Sequence, residues 1–161
     1  MNKSTFVGIF IGIVGLMLFI ALFGSSSNAS DIAKPSVLSA EIDTYDFGAV
    51  PIGGGLVQHS YLVRNDTSLP VVISKMYTSC MCTLATLSIG DRVFGPYGMP
   101  GHGSIPTIGV ALEPGSEVSV EVVFDPAAHG PAGIGPVGRV VSIEDGLGGR
   151  VELKFNALVT P

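Results

Sequence analysis

From residue 37 onward the chain is a succession of short runs rich in Val, Ile, Tyr and Phe, each broken by Gly, Pro, Asn or Asp, and none repeats its apolar residues at the helical period. The clearest run is Glu117–Phe124 (EVSVEVVF), where Val118, Val120 and Val122 fall on one face. A period of two is the mark of a half-buried strand, because successive side chains leave a strand on opposite sides. Strand-like runs also cover Val37–Ile42 with its continuation to Tyr45–Gly48, Leu56–Val63, Val71–Tyr77, Gly138–Ile143 and Val151–Val159. Six or seven strands in about 125 residues predict an all-β, two-sheet antiparallel sandwich. The expected core is Ile42, Phe47, Tyr61, Val63, Val72, Ile73, Val120, Val122, Phe124, Val141, Ile143, Leu153, Phe155 and Ala157. Two Gly/Pro-rich stretches, Ser88–Leu112 and Pro126–Gly138, read as long loops, and loops of that length in a compact domain usually have a use.

The start of the chain is different. Phe6–Phe23 is an unbroken apolar run of 18 residues, preceded by Lys3 as the sole charge and followed by a Ser-rich stretch. That length reaches the lower range of a membrane-spanning helix. The segment is read as an N-terminal hydrophobic helix that anchors the chain in a membrane. The alternative is a cleaved signal peptide with Ser27-Asn28-Ala29 at the cleavage site. Either reading exports the remainder, to the periplasm or the cell surface. The organisation is then an anchor or signal over 1–23, a flexible tether over 24–36 and a sandwich over 37–161.

Of the eight basic residues all but Lys3 lie in the exported part, where they face 13 acidic ones and are scattered rather than clustered. A nucleic-acid backbone needs a basic stripe, so nucleic acid is not expected as a partner. No Ser/His/Asp arrangement, phosphate-cradling glycine motif or paired-carboxylate spacing stands out, and the chain is expected not to be an enzyme. His59, mid-strand in LVQHSYLV, is expected to face solvent.

Cys80 and Cys82 are the only cysteines. In an extended strand their Cα atoms would stand roughly 6.5–7 Å apart, at or beyond the upper edge of what a disulfide tolerates. A bridge therefore requires a bent backbone, and a bridge this short restricts the unfolded chain little. Two thiolates at this spacing suit a soft metal ion once the strand ends in a turn. Thiolate and thioether favour Cu(I), and imidazole suits copper or zinc. Met99 and His102 lie in the first Gly/Pro loop and His129 in the second, so the expected metal ligands are Cys80, Cys82, Met99, His102 and His129, with copper preferred to zinc. Met81, between the cysteines, would point away from them. The competing readings are a structural pair in a scaffold that binds an envelope protein, and a thiol redox element.

The strings Asp46-Phe47-Gly48-Ala49-Val50-Pro51, Tyr61-Leu62-Val63-Arg64-Asn65 and Ile73 to Thr83, with Thr78-Ser79-Cys80-Met81-Cys82-Thr83 as the most specific part, resemble the bacterial family called domain of unknown function 1573. Leu112-Glu113-Pro114-Gly115 and Val123-Phe124-Asp125-Pro126 extend the resemblance, which covers roughly residues 40–159. It implies an immunoglobulin-like β-sandwich of the Hydin type and an exported location. Only Cys80 and Cys82 carry over as motif positions. The loops bearing His102 and His129 look like a long-loop variant.

Overall fold

The computed structural model describes residues 34–101 and 105–161. These form eleven strands: β1 (Lys34–Pro35), β2 (Leu38–Ala40), β3 (Thr44–Pro51), β4 (Val57–Asn65), β5 (Val71–Thr78), β6 (Thr83–Ile89), β7 (Arg92–Tyr97), β8 (Val110–Leu112), β9 (Glu117–Phe124), β10 (Gly135–Asp145) and β11 (Gly149–Thr160). One 3₁₀ turn, Gly130–Gly133, precedes β10. The all-β expectation holds for the described residues, and the strands form two sheets. The first runs β1-β11-β10-β5-β8 with β3 also on β11, and the second runs β2-β4-β9-β6-β7. The expectation of purely antiparallel pairing is corrected, because β1 and β3 both run parallel to β11.

The two inner faces meet in one core. Alternation places Val118, Val120, Val122 and Phe124 of β9 inward, and Leu153, Phe155, Ala157 and Val159 of β11 opposite them. Phe124 and Phe155 pack ring to ring across the sheets, with centroids 5.2 Å apart. Fully burying such side chains contributes about 1.5–3 kcal/mol each.

Two expected core residues are exposed. Val72 is 41 % exposed because its neighbours Val71 and Ile73 take the inward positions of β5, and adjacent strand residues cannot share a face. Ile42 is 60 % exposed, since the run from Val37 is not one strand but two, and Ile42 lies in the bend between them. The Ser88–Leu112 stretch is not one loop. It contains the end of β6, all of β7, and β8, with β6 in the interior of its sheet between β9 and β7. Inward Thr83 and Ala85 beside an outward, 45 % exposed Leu84 invert the apparent hydrophobic pattern of β6.

His59 is half-buried rather than turned to solvent. It shares the inner face of β4 with Tyr61 and stacks on Tyr45 at 3.7 Å between ring centroids. Partial burial lowers its pKa below the usual imidazole value, because desolvation penalises the cation. Asn65 is fully buried at the end of β4. Its side-chain amide donates to Leu69 O and Leu112 O, both at 2.8 Å, tying the edge of one sheet to the other.

The anchor expected over 6–23 lies outside the described residues, and among the described residues no helix is long and apolar enough to cross a membrane. At the end of the expected tether, Lys34–Pro35 pair with Gly149–Arg150 of β11. The Ser36 hydroxyl donates to the buried carboxylate of Asp145 at 2.6 Å.

Candidate soft-metal and thiol site

Residues 79–82 connect β5 in the first sheet to β6 in the second, so the two cysteines stand on the crossover at one end of the sandwich. The crossover is a tight turn, not a continuing strand. Thr83 N donates to Cys80 O at 3.2 Å. The buried Thr78 hydroxyl lies within hydrogen-bonding distance of both Cys80 O (2.9 Å) and Thr83 O (3.0 Å), bracing the turn from below. The bend brings the two cysteine Cα atoms to 5.3 Å, and the sulfurs are joined as a disulfide. The distance of an extended strand does not apply here, because the backbone supplies the bend that a bridge requires. Met81 sits at the turn's tip, 66 % exposed.

The topology explains what surrounds the pair. β6 and β9 are antiparallel neighbours, with Thr83 opposite Phe124. The segment entering β6 therefore lies beside the segment leaving β9. Asp125 N donates to Cys82 O at 2.9 Å and locks the two together. Beyond Asp125 the chain turns, with Ala127 N donating to the Asp125 carboxylate at 2.8 Å. Gly130, at φ +56°, then reverses it in a left-handed conformation that side chains resist. This places His129 Nε2 3.2 Å from Cys80 Sγ. From the other side β10 continues past its pairing of Val141 with Thr78, and Ser79 N donates to Val140 O at 2.9 Å. Arg139 then reaches Cys82, with Nε donating to Sγ at 3.3 Å.

The two sulfurs and the His129 ring offer three ligand atoms within 4.8 Å of one another. Cys80 and Cys82 are 8 % and 3 % exposed, while His129 is exposed. Of the five ligands expected from the sequence, three are brought together. Met99 is 48 % exposed and lines a separate pocket with Met76, Tyr97 and Pro100, to which none of the three contributes. His102 lies outside the described residues. Arg139 was not anticipated. As one of several scattered cations it carries no local signal, and only the register of β10 against β5 puts it beside a sulfur.

A family model described as "Protein of unknown function (DUF1573)" matches residues 38–89, the stretch from β2 through β6 that includes both cysteines. The resemblance read from the residues is borne out over that stretch. A comparison with curated proteins finds no match. Among solved structures, a protein of unknown function from Porphyromonas gingivalis W83 is 16 % identical with a TM-score of 0.56, over 83 % of this chain and 51 % of that one. The chain thus spans about half the length of that protein. Two weaker likenesses are the secreted serine protease VesC from Vibrio cholerae and the ASH/PapD-like domain 7 of human CEP192. VesC has 14 % identity and a TM-score of 0.49, over 77 % of this chain and 24 % of that one. The CEP192 domain has 15 % identity and a TM-score of 0.45, over 84 % and 95 %. At 16 % identity the likeness to the Porphyromonas protein is one of fold alone.

Proposed function

We propose that this chain, whose residues 38–89 belong to the DUF1573 family, is an immunoglobulin-like binding module held at a cell membrane by residues 6–23, with its sandwich on the extracytoplasmic side. In its reduced state Cys80, Cys82 and His129 take up a soft monovalent metal ion, copper(I). The observation that carries this reading is the convergence of three ligand atoms within 4.8 Å from two separate connections. Thiolates are the soft ligands that select Cu(I), and an imidazole completes a three-coordinate shell.

The charge balance supports a monovalent ion. Two thiolates and one monovalent cation leave one net negative charge, which the Arg139 guanidinium beside Cys82 offsets. A divalent ion would leave the centre neutral beside a cation, and zinc would also want a fourth ligand. A disulfide has no thiolate to offer, so the site forms when the pair is reduced, and binding releases protons.

The test is a copper(I) titration of the reduced full chain in detergent, in competition with a chromogenic chelator. One equivalent is expected to bind, with binding lost in the Cys80→Ser/Cys82→Ser variant and weakened in His129→Ala. A double-Ser variant that holds copper as tightly as the parent refutes the reading.

The sheet edges at β7 and β8 favour a second reading, in which an envelope protein adds a strand to the sandwich. Cross-linking that recovers the same specific partner from the double-Ser variant supports it, and recovery of none counts against it.

A further inference from the structure

The two sulfurs of the Cys80–Cys82 pair are capped unequally. Cys82 Sγ accepts the Arg139 Nε–H at 3.3 Å and lies 3.6 Å from Thr83 Oγ1, on the more buried residue of the two. Cys80 Sγ accepts the backbone N–H of Cys82 at 3.3 Å and lies 3.2 Å from Nε2 of the exposed His129 ring, which donates to it in the Nε2–H tautomer. Thus one sulfur is held against a fixed cation and the other sits under a side chain that solvent surrounds.

We propose that this disulfide is opened by thiol–disulfide exchange with a small-molecule monothiol, in one direction: attack falls on Cys80 and Cys82 departs. Exchange proceeds faster when the leaving sulfur carries its negative charge more easily. Arg139 supplies that stabilisation at Cys82, because a guanidinium keeps its charge and its hydrogen bond to an anion is stronger than one to a neutral acceptor. Access favours the same direction, since displacement of one exposed loop side chain uncovers Cys80, whereas Cys82 lies behind Arg139 of β10. With Cys80 only 8 % exposed, the thiol that reaches it must be small.

The incoming thiolate forms a bond to Cys80 Sγ, the Cys80–Cys82 bond breaks, and its electron pair stays on Cys82 Sγ against the guanidinium. A second monothiol then attacks the external sulfur of the mixed disulfide and leaves Cys80 as a thiolate. Overall two external thiols become one external disulfide, and the protein gains two electrons and two protons as a dithiol. That dithiol is the state the copper site requires. In purpose the inference rests on the copper reading, but its chemistry does not.

The experiment uses the full chain, oxidised in air and held in detergent, with glutathione as the probe. Samples are quenched at early times with N-ethylmaleimide, and tandem mass spectrometry assigns the adducts within the peptide that contains both cysteines. Glutathione is expected on Cys80 and maleimide on Cys82. Arg139→Gln, checked for folding by its thermal melt, is expected to open on the order of tenfold more slowly. Should that variant fail to fold, the adduct positions in the parent decide alone. Glutathione on Cys82, an even distribution, an unchanged rate in a folded Arg139→Gln, or a chain that forms no disulfide in air overturns the inference. Copper binding is read separately, on chain reduced by a phosphine. A chain that binds copper but opens in either direction defeats this inference alone, and one that opens as described but binds no copper defeats the copper reading alone.

Discussion

Replacing Asp145 by alanine is expected to loosen the point where the start of the sandwich is fastened to the β10–β11 turn. The Asp145 side chain is buried, with the residue 3 % exposed, and it accepts four hydrogen bonds. These come from Ser36 Oγ (2.6 Å), Gly149 N (2.7 Å), Leu147 N (2.9 Å) and Val37 N (3.4 Å). A hydrogen bond to a charged acceptor contributes about 1.5–3 kcal/mol. The buried Gly149 N–H would be left without a partner, whereas the groups on exposed Leu147 and Val37 recover water. One full loss and part of a second give about 3 kcal/mol, which for a domain of this size lowers Tm by about 10 °C. The loss should depend on pH in a definite sense. Burial alone pushes this carboxyl up, but the Ser36 hydroxyl, with the backbone N–H groups of Gly149, Leu147 and Val37, pulls it down further, so it lies below the usual carboxylate value. Its contribution is therefore fully present above about pH 4, the value in an unfolded chain, and vanishes as pH falls through the lower folded value. The assay is thermal unfolding of parent, Asp145→Asn and Asp145→Ala followed by near-UV circular dichroism across pH. Asp145→Asn, which keeps one acceptor oxygen but no charge, should fall between the other two. A Tm for Asp145→Ala within about 3 °C of the parent at neutral pH, or a difference that widens as pH falls, refutes the reasoning.

Gly149→Ala is expected to destabilise by more than an ordinary surface substitution, since a Cβ there would lie 2.5 Å from the Asp145 carboxylate and 2.6 Å from the Ser36 backbone. Its thermal melt should resemble that of Asp145→Ala, and a melt like the parent's would show that β1 is not held as described. Tyr61, whose hydroxyl donates to Lys154 O at 2.7 Å, has its pKa pushed up to about 12 by burial and then by the charges of Asp43 and Tyr45. Absorbance titration should therefore show a late-ionising tyrosine that disappears in Tyr61→Phe. Stability should fall as pH rises above about 10, where the unfolded chain begins to ionise first. Met81→Ala, at the exposed tip of the cysteine turn, should leave Tm and copper affinity unchanged within about 0.5 kcal/mol. A marked loss of copper in this variant would mean that the thioether turns inward to ligate.

The central strands could be read from the chain because each buries one face. Alternation in EVSVEVVF places β9 at Glu117–Phe124 in both sequence and structure, and β5 and β11 shift by no more than two residues at either end. β6 and β7 were hidden for a local reason. Small or polar Thr83 and Ala85 face inward while Leu84 and Val93 face out, and Gly and Pro crowd the flanks. Val72 and Ile42 were misplaced because composition marks a residue as apolar without saying which side of the pleat it takes.

The sequence by itself determined that the residues after the apolar start form strands, with one pair of thiols at the end of one of them, since residue type and a period of two are local properties. Only the tertiary structure decided that a tight turn carries the thiols, that His129 comes from beyond the end of β9, and that Arg139 flanks the second sulfur. Those meetings depend on which strands pair and in what register, and register is set by long-range packing that no short stretch of sequence records.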